Sequence, residues 1–257
     1  MDNLSFQLKP NLVLNHSMLL ELLLNNRGLH IVTLNLHHIY LCRKKQTFLE
    51  MINNADYITC DGWPILSLYR KKNSEIKKVT GSDFFEHLVF DPSYSGFRIG
   101  LIGGSESDVA VLKHLLVLNS NYFDFELTTL ISEWNPGAIL NKLKSVDLDL
   151  LLISAPVESA EKFIFDMKQA QPDKRLTFTI INIGAGLAML TGSEKRSPRF
   201  LRFIRAEWCW RLFQNPKKFM KRYLLQDLGT FVTVVLPSLL RMNTQPNIRK
   251  IENDIQG

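Results

Sequence analysis

The chain alternates short, strongly apolar runs with amphipathic stretches of helical period over most of its length. Six runs of four to seven residues are apolar enough to be buried on both faces, and the stretches between them are long enough for crossover helices. Strands of this kind are typical of parallel sheets that are covered by helices on both faces. The pattern therefore predicts an α/β fold.

The predicted strands are followed by small or polar residues. The six strands are His30 to Leu34, Tyr57 to Cys60, Arg98 to Ile102, Glu126 to Ile131, Leu148 to Ser154 and Thr177 to Ile183. Because open parallel sheets bind ligands outside the carboxyl ends of their strands, function is expected where these runs end. The residues there are Thr33 and Asn35, Asp61-Gly62, Gly103-Gly104-Ser105, Ala155-Pro156 and Gly184-Ala185-Gly186. We expect a Rossmann-like sheet with its site at this edge.

Positive charge is concentrated in the segment from Thr191 to Leu224. This segment holds ten Lys or Arg residues and two acids, so its net charge is 10 − 2 = +8, whereas the whole chain carries +6. Such a cluster attracts phosphate-bearing molecules or an anionic surface. The sequence predicts a Rossmann-like core over residues 1–190 and a basic, helical C-terminal appendage over residues 191–257.

Two proline-marked helix starts lie inside this segment. Ser197-Pro198 and Asn215-Pro216 each place a capping residue before a proline at the first helical position. The first helix is expected to carry one apolar face as far as Leu212, and the second to alternate apolar pairs with cationic pairs. Three interpretations stay open: solvated helices that pack their aromatics on the core, a nucleic-acid patch, and a membrane-surface or diphosphate patch.

Composition indicates the cellular compartment in which the protein is expected. Cys42, Cys60 and Cys209 are odd in number and widely spaced, which suits a reducing compartment and gives no zinc site. The N-terminus lacks the pattern of a secretory signal, so a cytosolic protein is expected. The apolar stretch from Leu228 to Leu240 is shorter than the ~20 residues that cross a bilayer, and Pro237 is expected to interrupt it. The chain is therefore expected to be able to lie on a membrane but not to span one.

Two features at the predicted ligand-binding edge are candidates for chemistry. Asp61 directly follows a buried strand and would be ionised near neutral pH, although an Asp in this position can also cap the next helix. Gly103 and Gly104 form a turn that lets backbone N–H groups approach a phosphate. The turn lacks a full dinucleotide fingerprint, so a generic tight turn is the alternative.

Asp147 and Asp149 form a D-x-D pair, which raises the question of a metal-dependent sugar-nucleotide site. They precede an apolar run and are therefore expected at the amino end of a strand, away from the ligand-binding edge. The histidines are scattered without ligand spacing. No metal and no cofactor are predicted.

Five motifs in order give the chain a family resemblance. They are HIVTLN from His30, ADYITCDGWP from Ala55, KKVTGSDFFEHL from Lys77, FRIGLIGGSES from Phe97, and the basic TGSEKRSPRF...AEWCWRLFQNPKKFMKRYL from Thr191. Together they resemble the WecG/TagA/CpsF family of bacterial glycosyltransferases, from about Met18 to Leu225.

The resemblance implies an activity and partners. Such an enzyme moves an N-acetylmannosamine-type or related sugar from a UDP donor to a polyprenyl-diphosphate-linked sugar acceptor, with inversion and without a bound metal, in the synthesis of wall polymer, common antigen or exopolysaccharide. It would work on an anionic membrane surface at the inner face of the cell membrane, and a homo-oligomer is left open. A nucleic-acid partner is not expected.

The resemblance also implies roles for particular residues. Asp61 matches the proposed catalytic base, and Thr33 and Asn35 match a T-x-N motif at the mouth of the active site. The other donor-binding candidates are Lys78, which replaces the usual Arg, with Gly81, Asp83, Gly103, Gly104, Glu158 and Gly184. The cations expected to meet phosphate or membrane are Arg196, Arg211, Lys218 and Lys221.

Two motifs depart from the family pattern. Where members usually carry G-x-P-K-Q-E, this chain keeps Pro156 but has Val157-Glu158 in place of Lys-Gln. Ala188 stands where the family has an Asp. A non-catalytic relative that acts as a scaffold in a polysaccharide assembly complex is therefore the alternative function.

Overall fold

We describe the fold from a computed structural model, which covers residues 8–70, 73–118, 120–127, 133–171, 173, 175–204 and 206–240. Helices and strands alternate along the chain as the sequence predicts. The elements are β1 (Asn11–Leu12), α1 (His16–Asn25), β2 (His30–Leu34), α2 (Leu36–Lys44), α3 (Gln46–Asn53), β3 (Tyr57–Cys60), α4 (Trp63–Arg70), α5 (Gly81–Phe90), β4 (Arg98–Gly103), α6 (Glu106–Leu118), β5 (Tyr122–Leu127), α7 (Pro136–Leu143), β6 (Leu150–Ser154), α8 (Val157–Gln169), β7 (Thr179–Asn182), α9 (Gly186–Thr191), α10 (Arg199–Phe203) and α11 (Glu207–Gln214), followed by a long helix over residues 216–240, α12.

The described strands form one seven-stranded sheet in the order β1-β3-β2-β7-β6-β4-β5, and every neighbouring pair is parallel. After β2 the chain moves toward one edge of the sheet, and after β4 it moves toward the other. Loops that follow the central strands therefore diverge and leave a crevice at the carboxyl edge. The predicted parallel α/β fold is confirmed.

Successive side chains of the strands point to opposite faces, and both faces are buried. Ile31 and Leu152 belong to a core under α1, α5, α6 and α9, whereas Val32 packs with α2, α3 and α4 and Ile153 packs with α7 and α8. Side chains cap several helices: the Asn15, Asn35, Thr80 and Asn135 oxygens accept from N–H groups of the first turn. The sheet is thus fixed between two helical layers.

One strand lies earlier than the sequence indicated. The apolar run from Glu126 suggested a strand to Ile131, but β5 spans Tyr122–Leu127, and residues 128–132 lie outside the described part. β5 is an edge strand, and Tyr122 is exposed whereas Phe123 packs on the core. An edge strand buried on one face shows alternating polarity, so a search for continuous apolar runs misplaced it.

The first helix of the appendage is broken, contrary to the expectation of one helix to Leu212. α10 ends at Phe203, and α11 begins at Glu207. Phe200 and Phe203 keep 68% and 86% of their surface exposed, so the predicted apolar face is not buried in the core. The interpretation in which these aromatics pack on the core is therefore wrong for α10.

The second predicted helix start is confirmed, but the helix is longer than expected. α12 begins at Pro216 and continues through π-helical segments Lys221–Asp227 and Phe231–Val235 to Leu236–Leu240. Pro237 lies inside the last segment, so the expectation that it interrupts the helix is wrong. A π-helical segment directly before a proline alters the hydrogen-bond ladder where the proline lacks an N–H.

Within the described residues, Lys221–Leu240 has the length and apolar composition that would let a helix cross a bilayer. By itself this is weak evidence, because core helices and signal sequences meet the same criterion. One side of this stretch is tied to the core: the Asp227 carboxylate lies 3.2 Å from His37 Nδ1 on α2, and the Phe231 ring packs edge-on against Trp63 on α4.

Gly103 ends β4 in a conformation that a larger residue cannot adopt without strain. Its φ is +95°, and a Cβ atom would lie 2.4 Å from the Ser154 backbone oxygen on β6. Gly96 has a similar φ of +85°, but among the described residues, its chain neighbours apart, no atom lies within 4 Å of its Cβ position. The two glycines therefore separate the cost of a positive φ from the cost of a close backbone approach.

We predict that Gly103→Ala lowers the free energy of unfolding by more than about 3 kcal/mol, and that Gly96→Ala lowers it by only about 1 kcal/mol. Urea denaturation followed by circular dichroism measures both values. Equal losses for the two variants would contradict the close approach of β4 and β6.

Candidate active site

Asp61 lies at the carboxyl edge of the sheet, between the ends of β3 and β2. Its backbone N–H donates to the Leu34 carbonyl at 2.9 Å, which continues the ladder by one residue. Gly62 follows with φ +90°, so the chain turns sharply away into α4. The carboxylate is thus held at the point where the sheet ends, in a half-buried position.

The environment of Asp61 opposes ionisation and at the same time supplies cations. Burial is the main cause that raises the pKa of this carboxyl, which is about 6; Arg211 opposes the shift, and Asp83 contributes to it. Lys78 and a hydrogen bond from the Asn35 side chain act in the opposite direction. A carboxyl with such a pKa is ionised at neutral pH and can accept a proton there.

The segment before α5 brings Lys78 beside β3. The Val79 N–H donates to the Cys60 carbonyl at 3.0 Å, and the Thr80 hydroxyl then caps α5. Lys78 Nζ lies 3.6 Å from Asp83 Oδ2 and 3.6 Å from Glu207 Oε1. This cation therefore joins α5 of the core to α11 of the appendage.

Arg196 and Asp83 also join the two parts. The Arg196 guanidinium pairs with both Asp83 and Glu86 on α5. These carboxylates raise the pKa of Arg196 although burial opposes that shift. Asp83, predicted to bind the donor, is engaged by Arg196 and Lys78 in this structure.

Arg211 on α11 is the cation best placed to meet a ligand. It interacts electrostatically with Asp61, and it lines a cleft together with Lys78, Asp83 and Arg196. Within the described residues no carboxylate lies within ion-pair distance of its guanidinium, which contacts Met189 Sδ at 3.7 Å. Its N–H groups are therefore available to an anionic ligand.

The Gly103-Gly104 turn lies beside a second junction and does not line this cleft. Gly104 has φ +82°, and a Cβ atom there would lie 2.3 Å from Leu187 on α9. The Ser154 hydroxyl of β6 donates to the Gly184 carbonyl at 2.9 Å, so the loops after β4, β6 and β7 are contiguous. The structure groups Gly103, Gly104 and Gly184 at the same edge as Asp61.

Asp108 is a residue that sequence reasoning missed. Its carboxylate, only 6% exposed, accepts from the Ser105 hydroxyl at 2.7 Å and from the hydroxyls of Thr191 and Ser193. Burial opposes its ionisation, but these hydrogen bonds outweigh burial and lower the pKa of Asp108. Asp108 thus ties the glycine turn to the first residues of the appendage. The only sequence signal was an acid in the first turn of α6.

Thr33 and Glu158 do not line the cleft that contains Arg211. The Thr33 hydroxyl is buried and donates to the Asn182 carbonyl on β7 at 3.1 Å. Glu158, half exposed in the first turn of α8, pairs with Lys45. Gly81 packs against the β7 end, where a Cβ atom would lie 3.0 Å from the Asn182 oxygen. These contacts position backbone segments around the crevice.

Of the two remaining cationic candidates of the appendage, Lys221 is exposed on α12, and the side chain of Lys218 lies outside the described part. The D-x-D pair lies before β6, which confirms its expected position at the amino end of that strand. Arg27 pairs with Asp147 at 3.0 Å and with Asp149 at 2.5 Å, and Arg98 pairs with Asp147 at 2.7 Å.

The site therefore combines one carboxylate with cations from two parts of the chain that act on it electrostatically. Asp61 comes from β3 of the core, and Arg211 comes from α11 of the appendage. A comparison of the sequence with protein-family models identifies the family of this chain. Residues 11–245 match the model of the glycosyl transferase WecG/TagA/CpsF family.

The chain belongs to the WecG/TagA/CpsF glycosyltransferase family. The match covers 235 of 257 residues, since 245 − 11 + 1 = 235, and it includes both the sheet and the described part of the appendage. The resemblance inferred from the five sequence motifs is thereby confirmed, and it supports a glycosyltransferase role for the crevice at the carboxyl edge.

The raised pKa of Asp61 has a consequence for stability. A carboxyl whose pKa is higher in the folded than in the unfolded chain stabilises the fold below the unfolded value of ~3.9, and this contribution is lost as the pH rises through about 6. We therefore predict that Asp61→Asn raises the free energy of unfolding by about 1 to 3 kcal/mol at pH 7.5 and leaves it nearly unchanged near pH 4. Urea denaturation at both pH values measures this.

Asp91→Asn is the matched control with the opposite sign. Hydrogen bonds from Ser93 lower the pKa of Asp91, so this carboxylate stabilises the fold at neutral pH. Its loss should destabilise the protein at pH 7.5. If Asp61→Asn destabilised the protein in the same way, the burial of an ionised Asp61 would be contradicted.

Proposed function

We propose that this protein transfers a sugar from a UDP-sugar donor to a polyprenyl-diphosphate-linked sugar acceptor during synthesis of a cell-surface polysaccharide. Wall polymer, common antigen and exopolysaccharide are the products expected from the family resemblance. The observation that carries the proposal is a half-buried Asp61 carboxylate on which Arg211 and Lys78 act electrostatically, in a chain that belongs to a family of glycosyltransferases.

The reaction is an inverting displacement. The acceptor hydroxyl oxygen bonds to C1 of the donor sugar while the bond from C1 to the β-phosphate oxygen breaks. Asp61 takes the proton of the hydroxyl as general base, and its pKa of about 6 keeps it ionised at pH 7. The bonding electrons leave with UDP, so negative charge grows on the diphosphate opposite the base.

Protein groups can stabilise that departing charge without a metal. Arg211 has guanidinium N–H groups available, and Lys78 lies in the same cleft. Cations fixed before the reaction stabilise developing charge without further reorganisation. The backbone N–H groups of the Gly103-Gly104 turn are a second set of donors for the nucleotide.

The acceptor requires access to a membrane surface, and the appendage has a suitable surface. Of the sixteen large hydrophobic residues that are exposed in the described part of the chain, eleven lie between Phe200 and Leu240. Lys217 and Lys221 are exposed near them. Apolar side chains beside cations are typical of segments that enter the interface of an anionic bilayer. We place the protein on the inner face of the cell membrane, in the cytoplasm.

The scaffold alternative rests on the two departures from the family pattern. Glu158 stands at the position of an amide and pairs with Lys45, and Ala188 replaces an Asp. A scaffold would keep the fold and the appendage, but it would not depend on the ionised Asp61.

The deciding experiment is incubation with a panel of UDP-sugars and a short-chain lipid-diphosphate sugar, with products identified by mass. We predict turnover with one donor, a fall of at least about 1,000-fold for Asp61→Asn, and an acid limb of the rate profile near pH 6, because protonated Asp61 cannot accept a proton. Addition of EDTA should leave the rate unchanged. Turnover by Asp61→Asn at the wild-type rate would remove this residue from the mechanism.

We predict further that the protein sediments with vesicles rich in phosphatidylglycerol and much less with vesicles of phosphatidylcholine. Phe213 and Leu225 are 82% and 73% exposed on the appendage, and the double variant Phe213→Asp, Leu225→Asp should lower the bound fraction about tenfold or more. Val117→Asp is the control, because Val117 is 72% exposed on α6. Equal losses for both variants would argue against docking through the appendage.

A further inference from the structure

A cluster of three titratable side chains lies buried between α2, α8 and the sheet and has no part in the mechanism above. His30 starts β2, His38 lies in the first turn of α2, and Glu161 lies on α8. All three are about 1% exposed. Buried ionisable groups are costly unless they are paired, so such a cluster requires an explanation.

Glu161 holds both histidines from α8. Its Oε2 lies 3.1 Å from His30 Nε2, and its Oε1 lies 3.8 Å from His38 Nε2. Glu161 Oε1 and His38 Nε2 face each other, and neither atom has a hydrogen-bond partner among the described residues. Burial lowers the pKa of His38. Burial alone would raise the pKa of Glu161, but the contacts with the two histidines outweigh burial and lower it. Glu161 is therefore an ionised carboxylate, and His38 is a neutral imidazole.

His38 Nδ1 accepts from the Asn35 backbone N–H at 3.1 Å, and it also lies 3.0 Å from Asn35 Oδ1. With Nδ1 as the acceptor of the backbone N–H, a neutral His38 carries its proton on Nε2, which faces the Glu161 carboxylate. Asn35 Oδ1 in return accepts from the backbone N–H groups of His37 and His38, at 3.1 and 3.3 Å. This reciprocal arrangement is a capping box, in which His38 occupies the position usually held by Glu or Gln.

The capping box fixes the orientation of the Asn35 amide. Because Oδ1 is occupied by two backbone N–H groups, the NH₂ group of the amide is directed elsewhere. Leu34 pairs in register with Cys60, so Asn35 and Asp61 follow at neighbouring strand ends, and hydrogen bonding by the Asn35 side chain lowers the pKa of Asp61. A carboxylate can only accept, so the amide NH₂ is the group that acts on it. A chain of contacts thus runs from Glu161 through His38 and Asn35 to the candidate base.

We propose that His38, held by Glu161, is a positioning residue that fixes the Asn35 amide against the Asp61 carboxylate. His38 itself does not touch the reacting atoms. The proposal rests on the proposed function insofar as Asp61 is the base of a transfer reaction. Its physical content is independent of that reaction: the orientation of Asn35 determines how strongly the ionised form of Asp61 is stabilised.

Three variants test the contact. His38→Leu removes the acceptor for the Asn35 N–H, whereas His38→Gln restores the usual side chain of a capping box. We expect His38→Leu to lower kcat about tenfold, to change KM less than twofold, and to move the acid limb of the rate profile upward. His38→Gln should recover most of kcat. Glu161→Gln should move kcat and the acid limb in the same direction as His38→Leu, and it carries the test if His38→Leu does not fold.

Coupling to Asn35 distinguishes positioning from a merely structural role. In an Asn35→Ala background, His38→Leu should lower kcat no further, because the amide that it orients is gone. His87→Gln is the control for loss of a histidine, since His87 pairs with Asp91 at 3.3 Å on α5 outside this chain of contacts. Multiplicative losses in the double variant, or an acid limb that stays in place in His38→Leu, would overturn the proposal.

A direct titration separates this proposal from the proposed function. The carboxyl carbon of Asp61, assigned in NMR spectra by its absence in Asp61→Asn, reports its pKa without turnover. We expect the midpoint to rise by roughly 0.5 to 1 pH unit in His38→Leu and to return in His38→Gln. If the wild-type protein transferred no sugar but this shift were present, the transferase function would fail and the positioning role would stand. An unchanged midpoint in a folded His38→Leu protein would refute positioning.

Discussion

The balance of charge around Asp61 is the constraint on which the candidate site depends. A half-buried carboxylate is ionised at neutral pH only if cations and hydrogen-bond donors face it, and here they come from separate parts of the chain. Lys78 and Asn35 belong to the core, and Arg211 belongs to the appendage. The core alone therefore has the candidate base but lacks one of the groups that keep it ionised. A pKa of about 6 is the result of these opposing influences.

Two other buried carboxylates near the carboxyl edge of the sheet are also stabilised by the groups that surround them. Asp108 is surrounded by hydroxyl donors from Ser105, Thr191 and Ser193, and Glu161 by two imidazoles. Each connects elements that are distant in sequence: Asp108 joins the glycine turn to the appendage, and Glu161 joins α8 to the first turn of α2. Buried polar groups that are satisfied in this way specify one arrangement of the loops. The carboxyl edge of the sheet is thus held together by polar contacts over an apolar core.

The sequence predicted the features that depend on local pattern. β2 and β3 have the predicted bounds, because each is an uninterrupted apolar run buried on both faces. Asp61 could be placed at the active edge because it directly follows such a run. β5 was misplaced because an edge strand alternates, and the break between α10 and α11 carries no proline or glycine signal. Apart from Ser105 and Asn35, the hydrogen-bond and ion-pair partners of Asp108 and His38 lie 83 or more residues away in other elements, so no local pattern could reveal them.

The appendage also meets the core at places that surround the crevice. Thr191 and Ser193 bind Asp108 at the glycine turn, Arg196 binds α5, and Asp227 contacts His37 in the first turn of α2. That turn contains the capping box that orients Asn35. A surface suited to a bilayer and Arg211, one of the groups that favour the ionised form of Asp61, are therefore carried by one continuous segment. Because α10, α11 and α12 lie on this segment, a membrane that holds the exposed side chains of Phe213 and Leu225 would also fix the position of Arg211 over the crevice. In such an arrangement the lipid surface proposed to carry the acceptor and the cation that stabilises the ionised form of Asp61 would be held at the same place.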